Sequence, residues 1–209
     1  MTHSTKKYRP KKSSQRTRQL LISSTHFSTG DRHGGLLRKK RKGRTSRPLS
    51  KKEPLHLVFK AHRHLIRECS FRGTRSFRLI QILVRRYAVR FHIRVDQISV
   101  QGDHLHLLVR CSHRFFFQAF FRVLAGQIAQ RFQKEGLLRF VTDTSATTTK
   151  SKLKLWMYRP FSRIVRGFRA YRIVRDYIQL NEQEARGVIR YNARRLAGLS
   201  AGEWSLLWS

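Results

Sequence analysis

From Pro54 onward the spacing of apolar residues alternates between a period near two and a period near 3.6. That alternation is the strongest constraint on the fold. Leu55 to Ala61 (LHLVFKA) reads as a short strand bounded by Pro54. Phe77, Ile80, Val84, Tyr87 and Phe91 recur at helical spacing and predict an amphipathic helix over 76–91. Ile93, Val95, Ile98 and Val100 predict a second strand, with an irregularity at Asp96-Gln97. Gly102-Asp103 is a turn signal, and His104 to Arg110 (HLHLLVR) is a third strand hairpinned to the second. Phe117, Phe120, Phe121, Leu124, Ile128 and Phe132 predict a helix over 114–134. A low-complexity loop follows at 141–152, then a fourth strand at Leu153 to Met157, then a last helix from Gly167 to about Ala185. The order β-α-β-β-α-β is that of a ferredoxin-like split βαβ sheet. The expected class is α+β: an antiparallel, ferredoxin-like or RRM-like sheet with helices on one face, plus an extra C-terminal helix.

The segments outside this pattern differ in composition. Residues 1–50 hold 15 Lys and Arg and a single acid, Asp31, with little apolar periodicity. We read 1–52 as a basic arm, disordered or ordered by nucleic acid, 53–185 as the folded domain and 186–209 as a tail. Trp204 and Trp208 suggest that the tail docks, either on the domain or on a partner. Over the whole chain 46 Lys and Arg face 11 Asp and Glu, a formal charge of +35. Nucleic acid is the usual partner of such an excess, because each phosphate contact releases a condensed counterion. The densest cluster, Arg38-Lys39-Lys40-Arg41-Lys42, and the residues Arg163, Arg166, Arg169 and Arg172 are candidate DNA contacts. No apolar run is long enough to cross a membrane, and no secretory leader is visible. Cys69 and Cys111 have no zinc-ligand spacing and read as reduced core thiols.

Two constellations bear on chemistry. On a strand, His104 and His106 share one face and Leu105, Leu107 and Val109 the other. The two imidazoles are then roughly 6–7 Å apart at Cβ, so both can reach one divalent ion. A pair of half-exposed strand histidines beside nucleic acid fits the same pattern. On the last helix, Phe168, Tyr171, Val174, Ile178 and Ala185 form an apolar stripe, and Tyr177, Asn181 and Glu184 lie on its flank. Tyr177 is then either a nucleophile or a rim aromatic with its hydroxyl in water.

Taken together, these residues resemble the single-tyrosine HUH transposases of the IS200/IS605 type, and especially their REP-associated relatives. The resemblance rests on GDHLHLLV at Gly102–Val109 and FSRIVRGFRAYRIVRDYIQLN at Phe161–Asn181, and spans roughly residues 53–185. It implies that His104, His106 and Asn181 contact a metal ion, Mg²⁺ or Mn²⁺, and that Tyr177 is the nucleophile. It also implies a single-stranded DNA substrate with hairpin ends, a 5′-phosphotyrosine intermediate, a homodimer, and a bacterial cytoplasmic, nucleoid-associated location. One departure is Glu182 after Asn181, where REP-associated members usually have Pro. Two other readings compete: a noncatalytic RNA-binding or ribosome-associated protein, and a domesticated relative that binds hairpin DNA without cutting. An RNA-recognition sheet needs aromatics on its middle strands. The third strand instead offers His104 and His106.

Overall fold

The computed structural model describes residues 31–35, 47–67, 70–139 and 154–209. Arg38–Lys42, Cys69 and the loop 141–152 lie outside the described residues.

The elements are β1 (Arg32–His33), β2 (Leu55–Lys60), α1 (Thr74–Arg90), β3 (Arg94–Val100), β4 (His104–Arg110), α2 (Arg114–Lys134), β5 (Phe161–Ile164), α3 (Phe168–Arg186) and α4 (Ala201–Leu206). The strands form one antiparallel sheet in the order β1-β5-β2-β4-β3. Leaving out β1, this is the ferredoxin-like order anticipated from the sequence. The irregularity at Asp96 is a register shift between Val95 and Gln97. The bulged Asp96 accepts from Arg110 Nε at 2.7 Å, and Arg94 Nε lies 3.0 Å from its other oxygen.

Strand alternation divides the sheet into two faces. Leu55, Leu57 and Phe59 of β2 join Leu105, Leu107 and Val109 of β4 on one face, all at most 1% exposed. Helices α1 and α2 cover it with Ile80, Leu83, Val84, Phe117, Phe120, Leu124, Ile128 and Phe132. The opposite face carries His56, His104, His106 and Leu108, and α3 lies against it. Leu108 and Val165 meet Val174 and Ile178 there in a second, smaller apolar cluster.

The structure corrects three expectations. The fourth strand is not at 153–157. Within the described part of that segment, Trp156 makes one isolated bridge to Ala61, and its indole Nε1 donates to Ala125 O at 2.8 Å. The strand that pairs with β2 is Phe161–Ile164, just after Pro160. Both segments are short; in the earlier one the Trp156 ring packs against Phe59 and Phe71.

Second, the arm is not wholly outside the fold. Arg32 and His33 pair with Arg163 and Ser162 of β5. Asp31 accepts both Nε and Nη2 of Arg166, at 2.8 and 2.7 Å. Arg47 is buried and donates to Ser162 Oγ and Pro160 O, with its guanidinium over the Phe121 ring. Burial pulls Arg47 down to about 10, with Arg159 adding to the shift.

Third, the apolar stripe of α3 is not continuous. Phe168 is 73% exposed, whereas Leu180, Asn181, Glu182 and Gln183 are buried. The tail accounts for part of this burial. Leu180 packs with Ile189 and Leu207, and Gln183 Nε2 donates to the carbonyls of Leu206 and Leu207. The tail therefore docks on the domain, with the Arg175 guanidinium over the Trp208 ring. Glu182, the departure from the family pattern, is part of this frame. Its carboxylate accepts from Val100 N at 3.2 Å and Arg72 Nη1 at 2.8 Å, tying α3 to β3.

The attachment of β1 gives a local prediction. Gly34 has φ +82°, and a Cβ there would lie 2.3 Å from Pro160 O. Gly34→Ala is expected to detach residues 31–35 from β5, because both the backbone conformation and the space reject a side chain. Hydrogen exchange will show faster amide exchange in those residues and unchanged protection in β2 and β4.

Candidate active site

Strand β4 ends its turn at Asp103 and then points His104 and His106 to the face under α3. Their ring centroids are 4.8 Å apart and the rings are nearly perpendicular, at 79°. His104 is half-buried, and its Nδ1 lies 2.6 Å from Asp103 Oδ1. That contact favours the tautomer with the proton on Nδ1, leaving a lone pair on Nε2.

His106 is buried, 6% exposed, and its Nδ1 lies 3.0 Å from His56 Nε2. The two rings stack at 5.3 Å with 15° between planes. One nitrogen of this pair donates and the other accepts. When His106 Nδ1–H is the donor, His106 also presents a lone pair on Nε2. Burial holds His106 well below the ordinary imidazole range, with His56, His104 and Arg195 adding to the effect. Burial, then the charge of Arg163, pulls His56 to about 3. Both rings are therefore neutral at neutral pH.

These shifts have a consequence for stability. In EDTA, the folded protein keeps His56 unprotonated down to about pH 3, whereas an unfolded imidazole takes its proton near 6.5. The unfolded state thus binds more protons between these values. Stability is complete above about pH 6.5 and falls as pH drops, with a slope of up to about 1.4 kcal/mol per pH unit from this residue. Urea midpoints between pH 7 and 4 will decline, and His56→Gln will flatten the decline. An identical slope in the variant would contradict the assignment.

Helix α3 supplies the other half of the site. The Tyr177 ring stands edge-on to His106, centroids 6.0 Å apart at 88°. Asn181 lies one turn further on and is 7% exposed. Its Oδ1 accepts from Arg195 Nη2, while its Nδ2 is buried with no hydrogen-bond partner among the described residues. An orphaned buried amide donor costs about 1–3 kcal/mol. Glu184, on the next turn, accepts Arg195 Nη1 with both oxygens, at 2.8 and 2.7 Å. The Arg195 guanidinium also lies 5.3 Å from the Tyr177 ring centroid. Arg195 has φ +55°, a strained conformation for a residue with a side chain.

The candidate DNA contacts disperse. Arg163 is buried on the site face, directly opposite His56 in the β2–β5 register. Burial and the neighbouring Arg32 pull it to about 10. Arg166 is paired with Asp31. Arg169 and Arg172 are exposed on the first turns of α3, with the Arg172 guanidinium 5.9 Å from the Phe168 ring centroid.

His56 and Arg195 were not singled out from the sequence. His56 looks like one polar position in an apolar strand, and only the β2–β4 pairing brings it to His106. Arg195 sits in an aperiodic tail and carries no local signal.

The donor set fits a divalent cation in part. Two imidazoles with oriented Nδ1 atoms are suitable ligands. Among the described residues no three His, Cys, Asp or Glu side chains form a closed cage. The third expected contact, Asn181 Oδ1, is engaged by Arg195.

A split βαβ sheet with an HxH strand on one face, crossed by a helix that carries a tyrosine, is the arrangement the HUH resemblance implies. Comparison with solved structures agrees on the fold. A REP-associated tyrosine transposase bound to a REP hairpin superposes with a TM-score of 0.51 at 14% identity, over 71% of this chain and 77% of that one. A candidate transposase from Deinococcus radiodurans matches with a TM-score of 0.37 at 15% identity, over 67% of this chain and 98% of that one. By the first of these, the chain has the fold of the REP-associated tyrosine transposase. No protein-family model matches the sequence, and no curated protein matches it significantly.

Proposed function

We propose that the protein is a single-strand DNA transesterase of the single-tyrosine transposase kind. The observation that carries this reading is the convergence of His104 and His106 with Tyr177 on one sheet face, the His106 and Tyr177 rings 6.0 Å apart. The charge of +35 supplies the attraction for a polyanion. The REP hairpin bound to the structural neighbour supports a hairpin-bearing DNA as substrate. Among the described residues no helix is long and apolar enough to cross a membrane.

His104 and His106 would hold Mg²⁺ or Mn²⁺ through their Nε2 atoms. When bound, such an ion supplies Lewis-acid polarisation of a phosphoryl oxygen. The chain does the rest. Asp103 and His56 orient the two imidazoles. Tyr177 Oη attacks the phosphorus; the Oη–P bond forms and the P–O3′ bond breaks. The phenol loses a proton and the departing 3′-oxygen gains one, leaving a 5′-phosphotyrosine and a free 3′-OH. Attack by another 3′-OH reverses the step and joins strands without an external energy source.

The RNA-binding reading needs an open sheet face on which bases stack. Here α3 occupies the face opposite α1 and α2, with Val174 and Ile178 packed on Leu108. The dimer is part of the proposal as well. Light scattering with and without DNA tests it, a monomer under both conditions counting against it. The transesterase itself is tested on a denaturing gel. End-labelled hairpin-bearing single-stranded DNA should give a denaturant-resistant protein–DNA band that needs Mg²⁺ and disappears with EDTA. A shift on a native gel without that band would leave binding without cutting.

A further inference from the structure

The buried amide of Asn181 presents a donor to the catalytic face. Its Oδ1 is taken by Arg195 Nη2, its Nδ2 has no hydrogen-bond partner among the described residues, and the residue is 7% exposed. Rotating the amide by half a turn would set its NH₂ against the guanidinium, donor to donor, so Arg195 excludes that orientation. The guanidinium is itself held in place. Both oxygens of Glu184 accept its Nη1, and the rings of Tyr177 and Tyr191 lie 5.3 and 5.1 Å from its Cζ. The strained backbone at Arg195, φ +55°, is retained within these contacts.

We propose that Asn181 binds a nonbridging oxygen of the phosphodiester through its Nδ2–H, and that Arg195 is the positioning residue that sets the amide for this. The identity of the phosphodiester as single-stranded DNA rests on the function proposed above. The assignment differs from a third metal contact, which would need Oδ1. A guanidinium donating to Oδ1 repels a second cation at the same oxygen. The same positive charge attracts a phosphate oxygen arriving at Nδ2. The amide sits one turn from Tyr177 on α3, so a phosphate held there lies on the nucleophile's side of the helix. A donor fixed in advance stabilises charge that develops on the phosphoryl oxygens without reorganising during attack.

The chain has two asparagines, Asn181 and Asn192. Labelling with ¹⁵N-asparagine therefore gives two side-chain NH₂ pairs. Asn192 Nδ2 donates to Gly198 O at 3.0 Å and serves as the internal reference. In EDTA, hairpin-bearing single-stranded DNA should shift the Asn181 pair and leave the Asn192 pair in place. Mg²⁺ without DNA should move neither. Arg195→Ala should move the Asn181 pair in the DNA-free protein, with an unchanged circular dichroism spectrum reporting that the variant is folded.

Asn181→Asp keeps an oxygen for Arg195 but replaces the donor with an acceptor. It should lower the adduct rate at saturating DNA by about 10²–10³-fold, as loss of one preorganised donor does, with no change in the Mg²⁺ requirement. A shift of the Asn181 pair by Mg²⁺ alone would overturn the proposal. So would an Asp variant that matches wild type at lower Mg²⁺, or a pair that ignores DNA. If wild type forms no adduct, the transesterase reading fails. The response of the Asn181 pair to DNA and to Mg²⁺ then decides this proposal by itself.

Discussion

Tyr177→Phe is expected to eliminate the covalent protein–DNA adduct while leaving folding and DNA binding intact. Phe lacks the oxygen that would bond to phosphorus, so the loss is complete for the adduct. For strand cleavage it is on the order of 10³-fold or more, because only binding and electrostatic contributions remain. Tyr177 is half-buried and packs beside Ala170, Tyr171 and the cluster of Val174 and Ile178. Phe keeps that packing, so the melting temperature should change little. The positive charge proposed to hold DNA is untouched, and the native-gel shift should persist at the same protein concentration. Parallel denaturing and native gels measure both halves. An adduct surviving in Tyr177→Phe would remove Tyr177 as nucleophile, and loss of the native shift would mean that the variant had lost its fold or its DNA surface.

His106→Ala should produce the second largest effect, and it should act on two properties at once. The imidazole is buried and meets His56 at 3.0 Å. Removing it opens space under α3 and leaves the buried His56 Nε2 without its partner. The unsatisfied nitrogen alone costs about 1–3 kcal/mol. Mn²⁺ affinity should fall by more than the roughly 10–100-fold that accompanies loss of an outer-shell partner. His104→Ala is the informative comparison. His104 is half-buried, and its partner Asp103 also lies near Lys60, at 3.9 Å. Its removal should weaken Mn²⁺ binding similarly but leave the urea midpoint nearly unchanged. Isothermal titration and urea unfolding on the two variants separate the roles. Equal stability losses would mean that the two histidines are both structural.

The candidate site was legible in the sequence to the extent that it lies on single elements. The alternation of β4 put His104 and His106 on one face and Leu105, Leu107 and Val109 on the other, because side-chain direction along a strand has a period of two. The 100° step of α3 put Tyr177 and Asn181 on one side for the corresponding reason. The bulge at Asp96 was legible as a break in alternation. His56 was not, because nothing within LHLVFK shows which strand will lie beside it. Its role comes from a pairing with β4 that joins residues fifty positions apart. Arg195 was hidden more deeply. It lies in a tail without periodicity, and its reach to Tyr177, Asn181 and Glu184 depends on Leu207 docking against Leu180.

The same division runs through the whole molecule. Period, turn residues and charge, all local properties of the chain, determined the order of strands and helices from β2 to α3, the two faces of β4 and the attraction to a polyanion. Contacts between distant segments decided the rest. The last strand formed at Phe161–Ile164, while Trp156 packed against Phe59 and Phe71. Asp31 and Arg47 drew part of a basic arm onto the sheet edge. The tail turned Asn181 from a residue on the flank of a helix into a buried amide with its oxygen occupied and its nitrogen free. Short-range sterics and solvation write the first set into any window of a dozen residues. The second set depends on which surfaces meet once the chain has closed on itself, and that is a property of the assembled core.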